Sequence, residues 1–216
     1  MAARGRGRPL RRREGTRPAK STVLVFCEGQ DEADYIEGVC RRVARADVDI
    51  RVAEGVQGVP MTLVHAALST LGESDIDQRW CVFDVEWPGN NPQQHHPRLT
   101  DAIALAEKRG IRCAVSNPCF DLWLILHFRG YTAFFDNDEA KREGRALEGR
   151  RGSRLDPAQY FDKVGTAVAR AKELARRHEG VNVIPEDNPS SGMYQLLEAI
   201  ADHGAADGRV GPLNQR

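Results

Sequence analysis

Residues 21–32 read STVLVFCEGQDE, and this stretch decides the fold class. Ser21–Cys27 (STVLVFC) is rich in β-branched and apolar residues and too short for a helix, so it predicts a buried strand. Glu28-Gly29-Gln30 makes the turn. Asp31 to Arg45 then carries Ile36, Val39, Cys40 and Val43 at helical spacing. Strand, turn and helix in this order open an α/β unit.

The same alternation continues outward. Asp49–Ala53 is a weaker strand, and Met61 to Leu71 a helix stopped by Gly72. Arg79–Val85 (RWCVFDV) is the second clear strand, and the proline-rich Glu86–Pro97 a loop. Thr100–Arg109 reads as a helix closed by Gly110, and Ile111–Val115 as a third buried strand. Ser116-Asn117-Pro118 opens a further helix through Leu122, Leu126 and His127, with proline at its start. Residues 136–154 are charged and glycine-punctuated, and read as a surface insertion or linker. Pro157–His178 is an amphipathic helix, Val181–Ile184 an edge strand, and Ser190–Ala201 a closing helix. The expectation is one α/β domain over residues 21–204, preceded by a basic, disordered arm at 1–20.

The formal net charge of zero hides an asymmetry. Residues 1–20 hold eight Arg or Lys and one acid, leaving 23 basic and 30 acidic residues for the remainder. Such an arm, with Arg11, Arg12 and Arg13 at its centre, reads either as a phosphate-seeking tail or as a solvated leader. The five cysteines include no CxxC pair, and several sit in apolar runs, so reduced core thiols in a cytoplasmic protein are expected. No secretory or membrane-spanning segment is expected. Walker A, HExxH and GxSxG patterns are missing from the sequence, which argues against an autonomous ATPase, a zinc protease and a serine hydrolase.

Three features carry chemistry. Glu28 follows the first strand beside Gly29, with Glu32 in the first helical turn, where ligands of open α/β sheets bind. Helix-dipole preference accounts for Asp31 and Glu32 but not for Glu28. Asp84 and Glu86 close the second clear strand, and strand alternation places both on one side. Such paired carboxylates repel unless a cation such as Mg²⁺ or Mn²⁺ neutralises them. In SNPCFDLWLILHF (116–128), Asn117 and Asp121 are candidate catalytic groups or helix caps. His127 reads first as a hydrogen-bonded core histidine, and His95 and His96 as solvated loop residues.

These motifs together resemble the RloB-like proteins. VLVFCEGQDEADYI is similar to the family's opening motif, CVFDVEW to its second, SNPCFDLWLILHF to its third and NPSSGMYQLLEAI to its last. The resemblance spans residues 4–201, basic leader included. It implies a Toprim-like Rossmannoid fold, with a mostly parallel central sheet flanked by helices and a C-terminal helical extension. It also implies an acid after the first strand and a paired acid motif after a later one, together binding Mg²⁺ or Mn²⁺. Carried over, Glu28 is the Toprim glutamate and Asp84 with Glu86 the metal-binding pair. Glu86 stands where relatives have Asp, and Asp31 where they commonly have Thr.

The expected activity is metal-dependent cleavage of DNA or RNA (tRNA included), in anti-phage defence beside an ABC/AAA-type ATPase. Glu28, Glu32, Asp84, Glu86, Asn117 and Asp121 are the candidate catalytic residues, and Arg11, Arg12, Arg13, Arg41, Arg42 and Arg45 the candidate nucleic-acid contacts. The competing reading is a non-catalytic module that binds nucleic acid or an ATPase on the same scaffold.

Overall fold

The computed structural model describes residues 22–44, 48–52, 60–87, 96, 98–149 and 154–206. The basic arm with Arg11, Arg12 and Arg13, as well as Arg45 and His95, lies outside the described residues.

Four parallel strands form the sheet: β1 (Thr22–Cys27), β2 (Val48–Val52), β3 (Ile76–Asp84) and β4 (Arg112–Asn117). A two-residue antiparallel strand, β5 (Ser190–Ser191), completes the order β2-β1-β3-β4-β5. The central position of β1 explains its unbroken apolar run. Val23, Val25 and Cys27 enter one core layer, while Leu24 and Phe26 enter the other.

Helices cover both faces. α1 (Gln30–Val39), α4 (Phe120–Phe128), α6 (Val164–His178) and α7 (Met193–Ala206) pack with the first layer. α2 (Pro60–Ser69) and α3 (Leu99–Lys108) pack with the second. The chain leaves β1 toward β2 on one side and returns to β3 on the other, so the strand order reverses between β1 and β3. Crevices of open α/β sheets form at this kind of switch point, outside the carboxyl ends of the strands.

α4 is apolar all round because it is enclosed all round. Between the sheet and its covering helices, every residue from Phe120 to His127 except Asp121 is buried. His127 is the expected core histidine. Its Nδ1 contacts the Trp123 carbonyl at 2.9 Å and its Nε2 the Tyr35 hydroxyl at 2.9 Å. With both ring nitrogens used, burial drives its pKa down to about 3.

The five cysteines are free thiols, four of them buried. Among the described residues no helix is long and apolar enough to cross a membrane.

The structure departs from the sequence reading in four places. Val181–Ile184 is not a strand: Val181 and Val183 are 77% and 75% exposed, and the backbone turns on bonds to His178. The edge is supplied instead by Ser190–Ser191, so α7 begins only at Met193. The helix expected from Pro157 starts as two 3₁₀ turns, Pro157–Gln159 and Phe161–Lys163, before α6. Within 136–154 lies a regular helix, α5 (Asn137–Glu148), started by a capping box in which the Asp136 carboxylate accepts the Glu139 N–H at 2.8 Å. The glycines that disguised this helix are accounted for: Gly149 is its left-handed terminus, and Gly144 lies against Asp121.

Candidate active site

Glu28 continues the pairing of β1 with β3 by one residue, its N–H donating to the Val82 carbonyl at 3.2 Å. Its side chain then turns to the end of β3, where Oε2 accepts the Asp84 N–H at 3.2 Å. Burial, followed by the charges of Glu86 and Glu32, pushes the Glu28 carboxyl up to about 8 despite that hydrogen bond. The first acid is therefore fixed to the strand end that bears the second.

Glu32 occupies the third position of α1, whose N-cap is Gly29. Its carboxylate reaches back to the Gly29 N–H, which is half of a capping box. A Cβ on Gly29 would stand 2.8 Å from Glu32 Oε2, so only glycine lets the carboxylate fold over the turn. Glu32 is 8% exposed, and burial, aided by the charges of Asp31 and Asp121, raises its pKa to about 7.

Asp84 has a comparable double role. Cys119, the N-cap of α4, makes no side-chain cap, and the Asp84 carboxylate takes the Phe120 N–H instead. Burial and the neighbouring Glu32, Glu28 and Glu86 hold its carboxyl well above the usual range. Asp121 stands in the first turn of the same helix, 3.8 Å from the Cys119 thiol. Burial and the charges of Asp84 and Asp121 push that thiol up, so it is a proton-bearing neighbour and not a nucleophile.

Glu86 reaches the cluster by a route that alternation does not describe. β3 ends at Asp84, and Glu86 takes a left-handed backbone with φ 59°. Its N–H donates to the Pro118 carbonyl at 2.9 Å, after Val85 N–H has bonded Ser116 at 2.9 Å. A bulky residue in this region is strained by about 1–2 kcal/mol, and the flanking Val85 and Trp87, both buried, hold it there.

Asn117 is neither a helix cap nor a free catalytic amide. Its Oδ1 accepts from Trp87 Nε1 at 2.6 Å and from Asn188 Nδ2 at 3.1 Å. Its Nδ2 donates to the Pro185 carbonyl and to Asp187 Oδ1, both at 2.8 Å. Those four bonds use the whole capacity of the amide. Asn117 is a brace joining the second, third and last sequence motifs, and Pro118 stands before α4 and not inside it.

Arg41 and Arg42 do not join the acids. They lie in the π-helical turn Cys40–Ala44 that continues α1, about 15 Å of helix beyond the turn at Gly29, and Arg41 is paired with Glu37. The cation that does influence the cluster was missed in the sequence: Lys141 of α5, whose charge acts on Glu28 and Cys119. The Asp-Asn-Asp-Glu run at 136–139 was the available signal for its helix.

The donor set is all carboxylate, which suits a hard divalent cation. Among the described residues, however, no three His, Cys, Asp or Glu side chains stand grouped as a ready metal shell. A cavity of about 760 Å³ lies elsewhere, between α6, α7 and the free edge of β4, and no acid of the cluster lines it.

Fold and site together define an α/β protein with an acidic cluster at the carboxyl edge of a mostly parallel sheet. The family model described as RloB-like protein matches residues 23–200, and the chain belongs to that family. No curated protein matches the chain. Nor does any solved structure.

Proposed function

We propose that this chain is a divalent-cation-dependent nuclease that hydrolyses phosphodiester bonds of DNA or RNA. One observation carries the reading: Glu28 Oε2 meets the Asp84 N–H at the β1/β3 switch point, where ligands of such sheets bind, and besides burial the charges of Glu32 and Glu86 push both the Glu28 and the Asp84 carboxyl up. Four carboxylates that repel in a desolvated crevice form an incomplete electrostatic arrangement, and a divalent cation completes it.

Glu28, Asp84 and Glu86 are the residues that would hold Mg²⁺ or Mn²⁺. The bound ion would supply Lewis-acid stabilisation of charge on the phosphoryl oxygens. Oε2 of Glu28 is engaged by the Asp84 amide, which leaves Oε1, ionised once a cation is bound, to take the proton from attacking water. Water adds to phosphorus as one ester P–O bond breaks, and the proton taken by Glu28 passes through solvent to the leaving oxygen, giving a phosphomonoester and a hydroxyl. Asn117 and Trp87 hold the loop that carries Glu86, and Glu32 keeps the Gly29 turn closed.

Kinship with Toprim-type nucleases, a role in phage defence, a cytoplasmic setting and an ABC/AAA-type ATPase partner belong to this proposal as its biological frame. A second reading, a non-catalytic binding module, is favoured by the lack of a ready three-ligand shell among the described residues.

The experiment is a cleavage assay of the purified chain beside Glu28→Ala and Asp84→Ala. Substrates are single- and double-stranded DNA, total RNA and tRNA, each with Mg²⁺, Mn²⁺ or EDTA. Cleavage that requires metal and vanishes in both variants supports the nuclease. Intact substrates throughout, even with a neighbouring ATPase added, favour the binding module.

A further inference from the structure

α5 is seated at two points against residues that adjoin the acidic cluster. At its start, the Asn137 N–H donates to the Trp87 carbonyl at 2.9 Å, and Asn137 Oδ1 accepts the Trp87 N–H at 3.0 Å. About two turns along, Gly144 lies so near Asp121 that a Cβ there would stand 3.0 Å from Oδ1. Trp87 directly follows Glu86, and Asp121, after Asp31, is an acid whose charge raises Glu32. The helix therefore spans from one wall of the cluster to the other.

Asn137, Lys141 and Gly144 are spaced i, i+4 and i+7, so they share one helix face. The residues before and after Lys141 on that face are both in contact with the crevice walls, which places Lys141 over the gap between them. Ala140 beside it is fully buried, while Lys141 itself is exposed to solvent. An ammonium on a flexible stem, anchored by a capped helix above a carboxylate cluster, is arranged to contact an anion that enters with a metal.

We propose that Lys141 binds the substrate's phosphate, neutralising the phosphodiester oxygens opposite the acids. This deepens the nuclease reading and rests on it. The acids hold the cation, and the lysine holds the anion that the cation alone would not orient. A role confined to soothing acid repulsion predicts the opposite behaviour, because removing the lysine would then weaken the fold and leave metal as the only remedy. The charge of Lys141 does lower the Glu28 and Cys119 pKa values, which agrees with its position and does not distinguish the two roles.

The test uses the purified full chain with Lys141→Ala and Lys141→Arg. Mn²⁺ binding is measured by calorimetry without nucleic acid. Single-turnover cleavage is measured with labelled single- and double-stranded DNA and RNA oligonucleotides at saturating concentration. The expected result for Lys141→Ala is retained Mn²⁺ binding with cleavage about a hundredfold slower, as for loss of one transition-state donor. Lys141→Arg should restore much of the rate. A wild-type rate in Lys141→Ala, or Mn²⁺ affinity that falls in step with the rate, overturns the inference and leaves the nuclease standing. A wild-type chain that neither binds Mn²⁺ nor cuts any oligonucleotide overturns the nuclease reading, and this inference with it.

Discussion

The Glu28 carboxylate accepts the backbone N–H of Asp84 at 3.2 Å across 56 residues of sequence. This bond ties the loop after β1 to the end of β3 and turns two strand termini into one acidic wall.

That wall predicts a metal-dependent gain in stability. A cation that binds the native state but not the unfolded chain adds about 2.7 kcal/mol at a hundredfold excess over its dissociation constant. Thermal unfolding of the wild type should shift upward with Mn²⁺, while Glu28→Gln and Asp84→Asn should show little or no shift. An equal shift in all three chains would place the metal elsewhere.

pH should act on the metal-free protein in two opposed directions, through His127 on one side and through Glu28, Glu32 and Asp84, all raised by burial, on the other. The native pKa of His127 is about 3, below the unfolded value near 6.5, so as pH falls beneath 6.5 only the unfolded chain gains the proton. Stability is then lost on acidification by at most about 1.4 kcal/mol per pH unit. Glu28 behaves oppositely: its pKa of about 8 lies above the unfolded 4.5, so stability is lost as pH rises from 4.5 to 8. Urea unfolding in EDTA should give His127→Gln a flatter acid limb than wild type, and Glu28→Gln a flatter alkaline one. Parallel curves would contradict the buried, neutral histidine and the protonated glutamate.

Asn117 should be among the most costly positions to change. Asn117→Ala removes four hydrogen bonds, taking from Trp87 Nε1 its acceptor at 2.6 Å and from Asn188 Nδ2 one of its two acceptors. A loss of about 3–5 kcal/mol is expected at roughly 1–3 kcal/mol for each buried group deprived of a partner. Chemical denaturation of Asn117→Ala, Asn188→Ala and the double variant should reveal strong coupling. Additive effects would mean that the two amides do not act as one brace.

Relaxing the backbone at Glu86 should trade function for stability. Glu86→Gly removes a strained left-handed side chain and should stabilise the metal-free fold by up to about 1 kcal/mol, offset in part by glycine's freedom when unfolded. Cleavage and Mn²⁺ binding should fall together. A destabilised variant would show that Glu86 contributes packing that outweighs its strain.

The sequence by itself determined the α/β class, the three apolar strands and the placement of Glu28 and Asp84. Those signals are local: an apolar run fixes a strand, and the residues following parallel strands necessarily share one edge. His127 was legible for a similar reason, since a histidine inside an unbroken apolar helix has nowhere to ionise. Only the tertiary structure decided how Glu86 reaches its partners, because its backbone is set by bonds to Ser116 and Pro118 and not by the period of its own strand. Asn117 kept its catalytic and capping readings in the sequence because its four partners lie 30 to 71 residues away. Lys141 was hidden in a charged, glycine-bearing segment whose glycine is explained only by the approach of Asp121. Local pattern set the strands and the acids at their ends, while long-range hydrogen bonds and one close helix contact chose what faces them.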